Sequence, residues 1–361
     1  MLKPRKAVQL VPPYHPPLAG REGLRLDFNE NTLGCSPRVV EHLRTLNAND
    51  LARYPEKRHV EETVANFFGV QPSELLLTNG VDEGIHLLCQ TYLDQGDEAI
   101  IVVPTYSMYR IYMLAAGAEL ASIPSRTDFE FPWSELRSRI NRRTRLIAIA
   151  NPNNPTGTVV TNQSLVQLAA DAPQAALLVD EAYFEFYGQS ILSGLKKCPN
   201  LFIARTFSKA YGLAGMRIGA LVGNADQMQA IRRVCSPYNV NTVALFCLPQ
   251  ALADRDYLEQ YVRETLESRA RLERRLEILG LAFWPSNANF VLIRVGATKE
   301  AAQFTDCMRA RGVLVRDRSA DYGCEGCVRV TLGPRDHTGK MLAALEQTLE
   351  EVGIAQGAIR P

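Results

Sequence analysis

One lysine in this chain has neighbours that suit a nucleophilic amine. In Arg205-Thr-Phe-Ser-Lys-Ala-Tyr-Gly-Leu-Ala-Gly-Met-Arg217, Lys209 lies between the hydroxyls of Thr206 and Ser208 and the guanidinium of Arg217, eight residues on. A lysine condenses with a carbonyl only when it is held still and partly deprotonated, which burial and nearby cations both promote. Ser-Lys alone carries little meaning, because most lysines are solvated surface charges. Two hydroxyls and an arginine in this order, however, make half of a cup for a phosphate, with the arginine as a fixed bidentate donor. Asn79-Gly-Val-Asp82 can supply the other half. Gly80 lets the backbone approach closely, and a helix starting there aims the N–H groups of Val81 and Asp82 at an anion.

Asp180 directly follows the apolar run Ala175-Ala-Leu-Leu-Val179. It can serve as an N-cap for Glu181-Ala-Tyr-Phe184 or as the partner of a protonated ring nitrogen. An imine-forming lysine, a phosphate cup and a carboxylate for a ring nitrogen are together what pyridoxal phosphate needs, since its ring withdraws electrons best when that nitrogen is protonated. Tyr183 and Asn154 can donate to the ring's phenolate oxygen and lower the imine pKa. Tyr106, just past Pro104, can stack on the ring face or serve the core. Arg316 and Arg329 lie thirteen residues apart on two strand candidates, Val313 to Arg316 and Val328 to Thr331. A guanidinium in such apolar surroundings is costly unless paired, so an anionic substrate group is the expected partner.

The elements that must position these residues follow one theme from Leu75 to about Val222: an apolar run, a polar cluster, then a helical pattern. The runs are Glu74 to Thr78, Ala99 to Val103, Arg145 to Ala150, Ala175 to Val179 and Asn200 to Ala204. This is the pattern of a parallel sheet covered by helices, with ligands bound beyond the carboxyl ends of the strands. Five such clusters in register therefore predict one shared site. From about Ala251 to Leu279 a single charged amphipathic helix is predicted, capped by Gly280 and bridging two domains. Strands over Asn289 to Arg294, Val313 to Arg316 and Val328 to Thr331, with helices near Thr298 to Arg311 and His337 to Val352, predict a smaller α+β unit. Val11-Pro-Pro-Tyr-His-Pro-Pro17 reads as an extended arm.

Forty Lys and Arg balance thirty-nine Asp and Glu, so no global field draws in nucleic acid or a membrane surface, and an anionic ligand must be held locally. No apolar stretch approaches the roughly 20 residues that span a bilayer, and Lys3, Arg5 and Lys6 are followed by no apolar run, so a cytoplasmic protein is expected. The residues give no metal site. Cys324-Glu-Gly-Cys327 has redox-motif spacing, but a chain of 361 residues needs no disulfides and reduced thiols are expected.

Asn151-Pro-Asn-Asn-Pro-Thr-Gly157, Asp180-Glu-Ala-Tyr183 and Ser208-Lys-Ala followed after four residues by Gly-Met-Arg217 resemble the class I/II, fold-type I aminotransferases. Asp27-Phe-Asn-Glu-Asn31, Arg53-Tyr-Pro-Glu56, Asn79-Gly-Val-Asp-Glu83, Pro104-Thr-Tyr-Ser-Met-Tyr109 and Val328-Arg-Val-Thr-Leu-Gly333 resemble the histidinol-phosphate aminotransferase family. The resemblance implies an α/β fold with a mostly parallel seven-stranded sheet in a large domain and a smaller α+β domain. Residues 1–45 would form an arm and part of the small domain, 46–265 the large domain and 266–361 the small one. It implies that Lys209 holds pyridoxal 5'-phosphate as a Schiff base and is the general base, with Asp180 on the ring nitrogen and Tyr183 and Asn154 on the phenolate oxygen. Val81, Asp82, Thr206, Ser208 and Arg217 would bind the cofactor phosphate. A homodimer is implied, with Tyr54 crossing to the partner's phosphate site and Tyr14 reaching its substrate. Arg316 and Arg329 would hold the phosphate of histidinol phosphate and, in the other half-reaction, a carboxylate of glutamate. Aromatic amino-acid transaminases and threonine-phosphate decarboxylases share this fold and stand as alternatives. Tyr238-Asn-Val-Asn241 leaves the imidazole side of the pocket unassigned.

Overall fold

The computed structural model describes residues 2–13 and 20–354. Seven strands form its main sheet: β1 (Leu75–Thr78), β2 (Glu98–Val103), β3 (Glu119–Pro124), β4 (Thr144–Ala150), β5 (Ala176–Asp180), β6 (Leu201–Thr206) and β7 (Gly219–Gly223). Their spatial order is β1-β7-β6-β5-β4-β2-β3, with β7 antiparallel to both of its neighbours and all other pairs parallel. The mostly parallel seven-stranded sheet is as expected, although two of its strands are not among the five apolar runs. β3 is an edge strand whose burial is patchy, and β7 is short and glycine-bounded, so neither has a strong apolar signature.

Helices cover both faces, so the central strands are buried along their whole length and alternate residues feed opposite cores. Leu177, Val179, Leu201 and Ile203 pack into one core, and Ala176, Leu178, Phe202 and Ala204 into the other. A separate core surrounds a small sheet ordered β10-β11-β9-β8, built from β8 (Phe283–Trp284), β9 (Phe290–Arg294), β10 (Arg316–Asp317) and β11 (Cys327–Thr331). Tyr183, Phe186 and Ala210 from beside the large sheet share a cluster with Tyr261, Ala288 and Phe290, which joins the two bodies.

Two local expectations need correction. The helix predicted from Ala251 to Leu279 is two helices, α1 (Thr242–Ala253) and α2 (Arg255–Leu279), broken at Asp254. The Asp254 carboxylate accepts from the Ser36 hydroxyl, and the residue takes φ −91° and ψ 68°, outside helical geometry. The run from Val313 to Arg316 is not one strand: Val313 and Leu314 pair in parallel with Leu24 and Arg25, and only from Arg316 does the chain join β11. Ahead of the proline-rich segment, Lys6–Gln9 forms one helical turn, and Arg5 Nη2 donates to Ala115 O at 2.6 Å. Among the described residues no helix is long and apolar enough to cross a membrane.

Candidate active site

The topology brings the polar clusters to one rim. β1, β2, β4, β5 and β6 run in the same direction, so Asn79, Pro104, Asn151, Asp180 and Ser208 all lie at or just past their carboxyl ends. β7 runs the other way, so its first residue, Gly219, pairs with Thr78 and with Thr206, and Arg217 arrives at the same rim.

The residues expected to form a phosphate cup converge there. The helix Gly80–Tyr92 starts without a side-chain cap on its first-turn N–H groups, which leaves them available to an anion. Arg217 Nη2 pairs with Asp82 Oδ2 at 3.0 Å. A Cβ on Gly80 would lie 2.6 Å from Arg217 Nη2, and one on Gly219 would lie 3.0 Å from the Val81 nitrogen, so glycine at both positions is what lets these groups converge. Thr206 Oγ1 accepts from the Ser208 N–H at 3.1 Å, and Ser208 Oγ is buried with no partner. A buried hydroxyl without a partner is uncommon and marks a place for a ligand acceptor.

Asp180 is buried, and its two oxygens accept from the Tyr109 hydroxyl at 2.6 Å and from the Ala182 N–H at 3.0 Å. Neither donor is a cation. Burial pushes its carboxyl up to about 6. Such a group awaits a positive partner. Tyr109 is a residue whose part the sequence reading missed, although Tyr106 and Tyr109 at the start of one helix share a face. Tyr106 donates to Asp82 Oδ1 at 2.8 Å and meets Tyr109 edge-on at 5.6 Å, which ties the surroundings of Asp180 to the Asp82–Arg217 pair.

Lys209 Nζ donates to the Phe28 carbonyl at 2.9 Å. Burial and then the Arg329 charge lower its pKa to about 8. The segment Asp27 to Asn31 therefore contributes more than motif identity suggested. Asn29, at φ 56°, donates to the Tyr183 hydroxyl at 2.8 Å and accepts from Thr331 at 2.9 Å, and Asn31 donates to Ala210 O. Burial raises the Tyr183 pKa, so it stays a neutral hydroxyl.

Arg329 reaches the rim from the small sheet. It is buried, donates to Asn154 Oδ1 at 2.5 Å and to Asp27 O at 2.6 Å, and keeps its Nε without a partner. The bond to Asn154 leaves that residue's amide nitrogen as a donor. Arg316 is directly opposite Arg329 in the β10–β11 ladder and over the Phe28 ring at 5.6 Å. Tyr54 is brought to no part of this rim; it is 78% exposed and stacks on Tyr238 at 4.2 Å. Tyr14 lies outside the described residues.

A neutral-leaning lysine, a buried carboxylate without a cation and an uncapped helix start beside an arginine define a transaminase-type cofactor site, and the model of the aminotransferase class I and II family matches residues 21–345. The chain belongs to that family. Within it, the chain is 34% identical over 358 residues to a histidinol-phosphate aminotransferase of Geobacillus sp. strain WCH70, covering 94% of this chain and 96% of the relative, and it is a member of the histidinol-phosphate aminotransferase family. Its structure is similar to that of the Sinorhizobium meliloti histidinol-phosphate aminotransferase in complex with pyridoxal-5'-phosphate, with a TM-score of 0.89 and 26% identity over 98% of this chain and 99% of that one. It also resembles L-threonine-O-3-phosphate decarboxylase from Porphyromonas gingivalis, with a TM-score of 0.76 and 25% identity over 91% and 99% of the two chains. Pyridoxal phosphate is the cofactor, and the unpartnered Ser208 hydroxyl and the uncompensated Asp180 carboxylate fit it.

Proposed function

We propose that this protein moves an amino group between L-glutamate and imidazole acetol phosphate, giving L-histidinol phosphate and 2-oxoglutarate in histidine biosynthesis. The observation that carries the proposal is the Arg316 and Arg329 pair beside Lys209: an anion site from the small sheet set against an amine from the large one. Both substrates present an anion at the end away from the reacting amine, so one cationic pocket serves both half-reactions.

In this reading Val81 and Asp82 backbone groups, Thr206, Ser208 and Arg217 hold the cofactor phosphate. Asp180 holds the ring nitrogen, Tyr183 and Asn154 hold the phenolate oxygen, and Tyr106 lies on the ring side. When bound, pyridoxal phosphate supplies the carbonyl that captures the amine and the ring that withdraws electrons from the reacting carbon. Lys209 would take the proton from that carbon and return it two atoms away, on the far side of the transferred nitrogen. A pKa near 8 keeps roughly a tenth of the amine neutral at pH 7, against about one part in three thousand for an ordinary lysine. Asp180, ionised above about pH 6, keeps a proton on the nitrogen it faces. Arg329 and Arg316 orient the substrate's far anion.

The enzyme is read as a cytoplasmic homodimer with sites at the interface, in which Tyr54 crosses to the partner's phosphate cup and Tyr14 to its substrate. The exposed stack of Tyr54 on Tyr238 supports this, because two aromatic faces in solvent suit a covering subunit. The body of the large sheet is read as the large domain over 46–265. The small-sheet body makes the other domain, with 266–361 joined by part of 1–45. Purified enzyme loaded with cofactor should convert 2-oxoglutarate to glutamate with histidinol phosphate as donor. Failure of that transfer, with phenylalanine or tyrosine active instead, or release of carbon dioxide from threonine phosphate, would overturn the assignment.

A further inference from the structure

Arg316 and Arg329 are cross-strand partners, so their side chains leave the same face of the small sheet. Arg318 is two residues past Arg316, and its N–H donates to Cys327 O at 2.9 Å, which carries the pairing one step beyond the strand. With a side-chain period of two, Arg318 shares that face. Its side chain is 14% exposed, forms an ion pair with Asp321 and keeps a buried Nε without a partner. Its charge, after burial, is the largest influence that lowers Arg329, to about 10, and it also acts on Tyr183.

Charge balance on this face is incomplete. Arg329 uses its Nη atoms on neutral acceptors, the Asn154 side chain and the Asp27 carbonyl. The Asp27 carboxylate is taken by Arg21, which Glu30 also pairs. Arg294 shares the sheet face but lies over the Trp284 ring beside Cys327; among the described residues around Arg329, three guanidinium groups, Arg316, Arg318 and Arg329 itself, face one carboxylate, Asp321, whose own pKa burial raises. A substrate carboxylate offsets one of the two remaining charges. A phosphate monoester, carrying about −1.5 to −2 at neutral pH, offsets both and has the oxygens to accept from the unspent N–H groups.

Resting on the function proposed above, we infer that Arg318, held in place by Asp321, is a third anion-binding residue that sets the enzyme's preference for the phosphate-bearing substrate over the carboxylate-bearing one.

The test compares holoenzymes: wild type, R318K, R318Q and the double variant R318Q/D321N, which leaves no buried carboxylate unpaired. KM and kcat are measured separately for histidinol phosphate and glutamate, and inorganic phosphate is titrated as an inhibitor competitive with glutamate. Losing one charge-assisted contact should raise KM for histidinol phosphate about 10- to 100-fold in R318Q and in the double variant, with kcat within about threefold. KM for glutamate should rise no more than about threefold, inhibition by inorganic phosphate should weaken in step with the histidinol phosphate effect, and R318K should recover part of both. Cofactor absorbance and a wild-type melting temperature establish that the variants fold. Equal losses for both substrates, or no loss for either, overturn the inference. A wild-type enzyme active with glutamate but not with histidinol phosphate would overturn the proposed function instead, and the phosphate inhibition series would still decide the part played by Arg318.

Discussion

Replacing Asp180 by asparagine should make the cofactor-free protein more stable at neutral pH while disabling the enzyme. In the folded chain this carboxyl titrates near 6 rather than 3.8, because it is buried with only a phenol and an amide as donors. Roughly two pH units at 1.36 kcal/mol each is about 3 kcal/mol. The sign follows from the direction. A folded-state pKa raised above the unfolded one favours the protonated group in the fold, so this contribution is complete below about pH 4 and lost as pH rises through about 6. Asparagine does not titrate. It also cannot accept from both Tyr109 and Ala182, so it carries a pH-independent cost of about 1 kcal/mol. Urea denaturation of the cofactor-free proteins from pH 4 to pH 8 should therefore show the wild type slightly ahead at pH 4. It should lose about 3 kcal/mol relative to D180N by pH 7 and end about 2 kcal/mol behind. With cofactor bound the order should invert, and kcat of D180N should fall on the order of 10²- to 10³-fold, since a neutral amide no longer keeps the ring nitrogen protonated. Parallel stability profiles for the two cofactor-free proteins would refute the reasoning.

Other parts of the site make equally definite predictions. Cofactor loading of the unliganded protein should quicken with pH to a midpoint near 8, and R329L should move that midpoint upward, because removing a nearby cation restores the lysine's basicity; an unmoved midpoint would remove Arg329 from the field at Lys209. E181Q should cost about 3–5 kcal/mol in denaturant melts, since Glu181 is buried and is the 2.7 Å partner of the buried Arg205 as well as the acceptor for Ile191 N; a loss below about 1 kcal/mol would contradict that. Y54F should weaken cofactor affinity about 10- to 100-fold. Hybrid dimers of Y54F with K209A should regain one site of normal affinity if Tyr54 crosses between subunits, and none if it acts within its own chain.

The large sheet and its rim were legible because burial on both faces demands continuous apolar strands, and each such strand here ends in residues that no core would choose. Ala175-Ala-Leu-Leu-Val179 followed by Asp180 is the clearest case. β3 and β7 escaped because an edge strand and a glycine-bounded strand need no such run. The break at Asp254 was hidden because the hydroxyl its carboxylate accepts from, that of Ser36, lies 218 residues away in sequence. For the same reason the work of Tyr109 on Asp180 and of Asn29 on Tyr183 left no local signal beyond polar residues in a motif. Arg318 lies two residues beyond the strand candidate Val313 to Arg316, so only the continued register against β11 places it on the face of Arg316 and Arg329.

The site draws its chemistry from placing the two sheets' charges together. Lys209 belongs to the large sheet and is lowered first by burial, which is fixed by the fold, and next by Arg329, which belongs to the small sheet and has no anionic partner of its own. The second influence depends on occupancy. In the proposed reaction, a substrate anion seated beside Arg329 would offset that charge, so the Lys209 amine would become more basic when a substrate is present to give up its proton. Without a substrate anion, the Arg329 charge helps keep the same amine neutral enough to react with a carbonyl. In the proposed function, one pocket would thus recognise the far end of the substrate and adjust the base at the near end. That coupling would give a use to the buried guanidinium at position 329, which is bonded only to neutral oxygens and costly as pure structure.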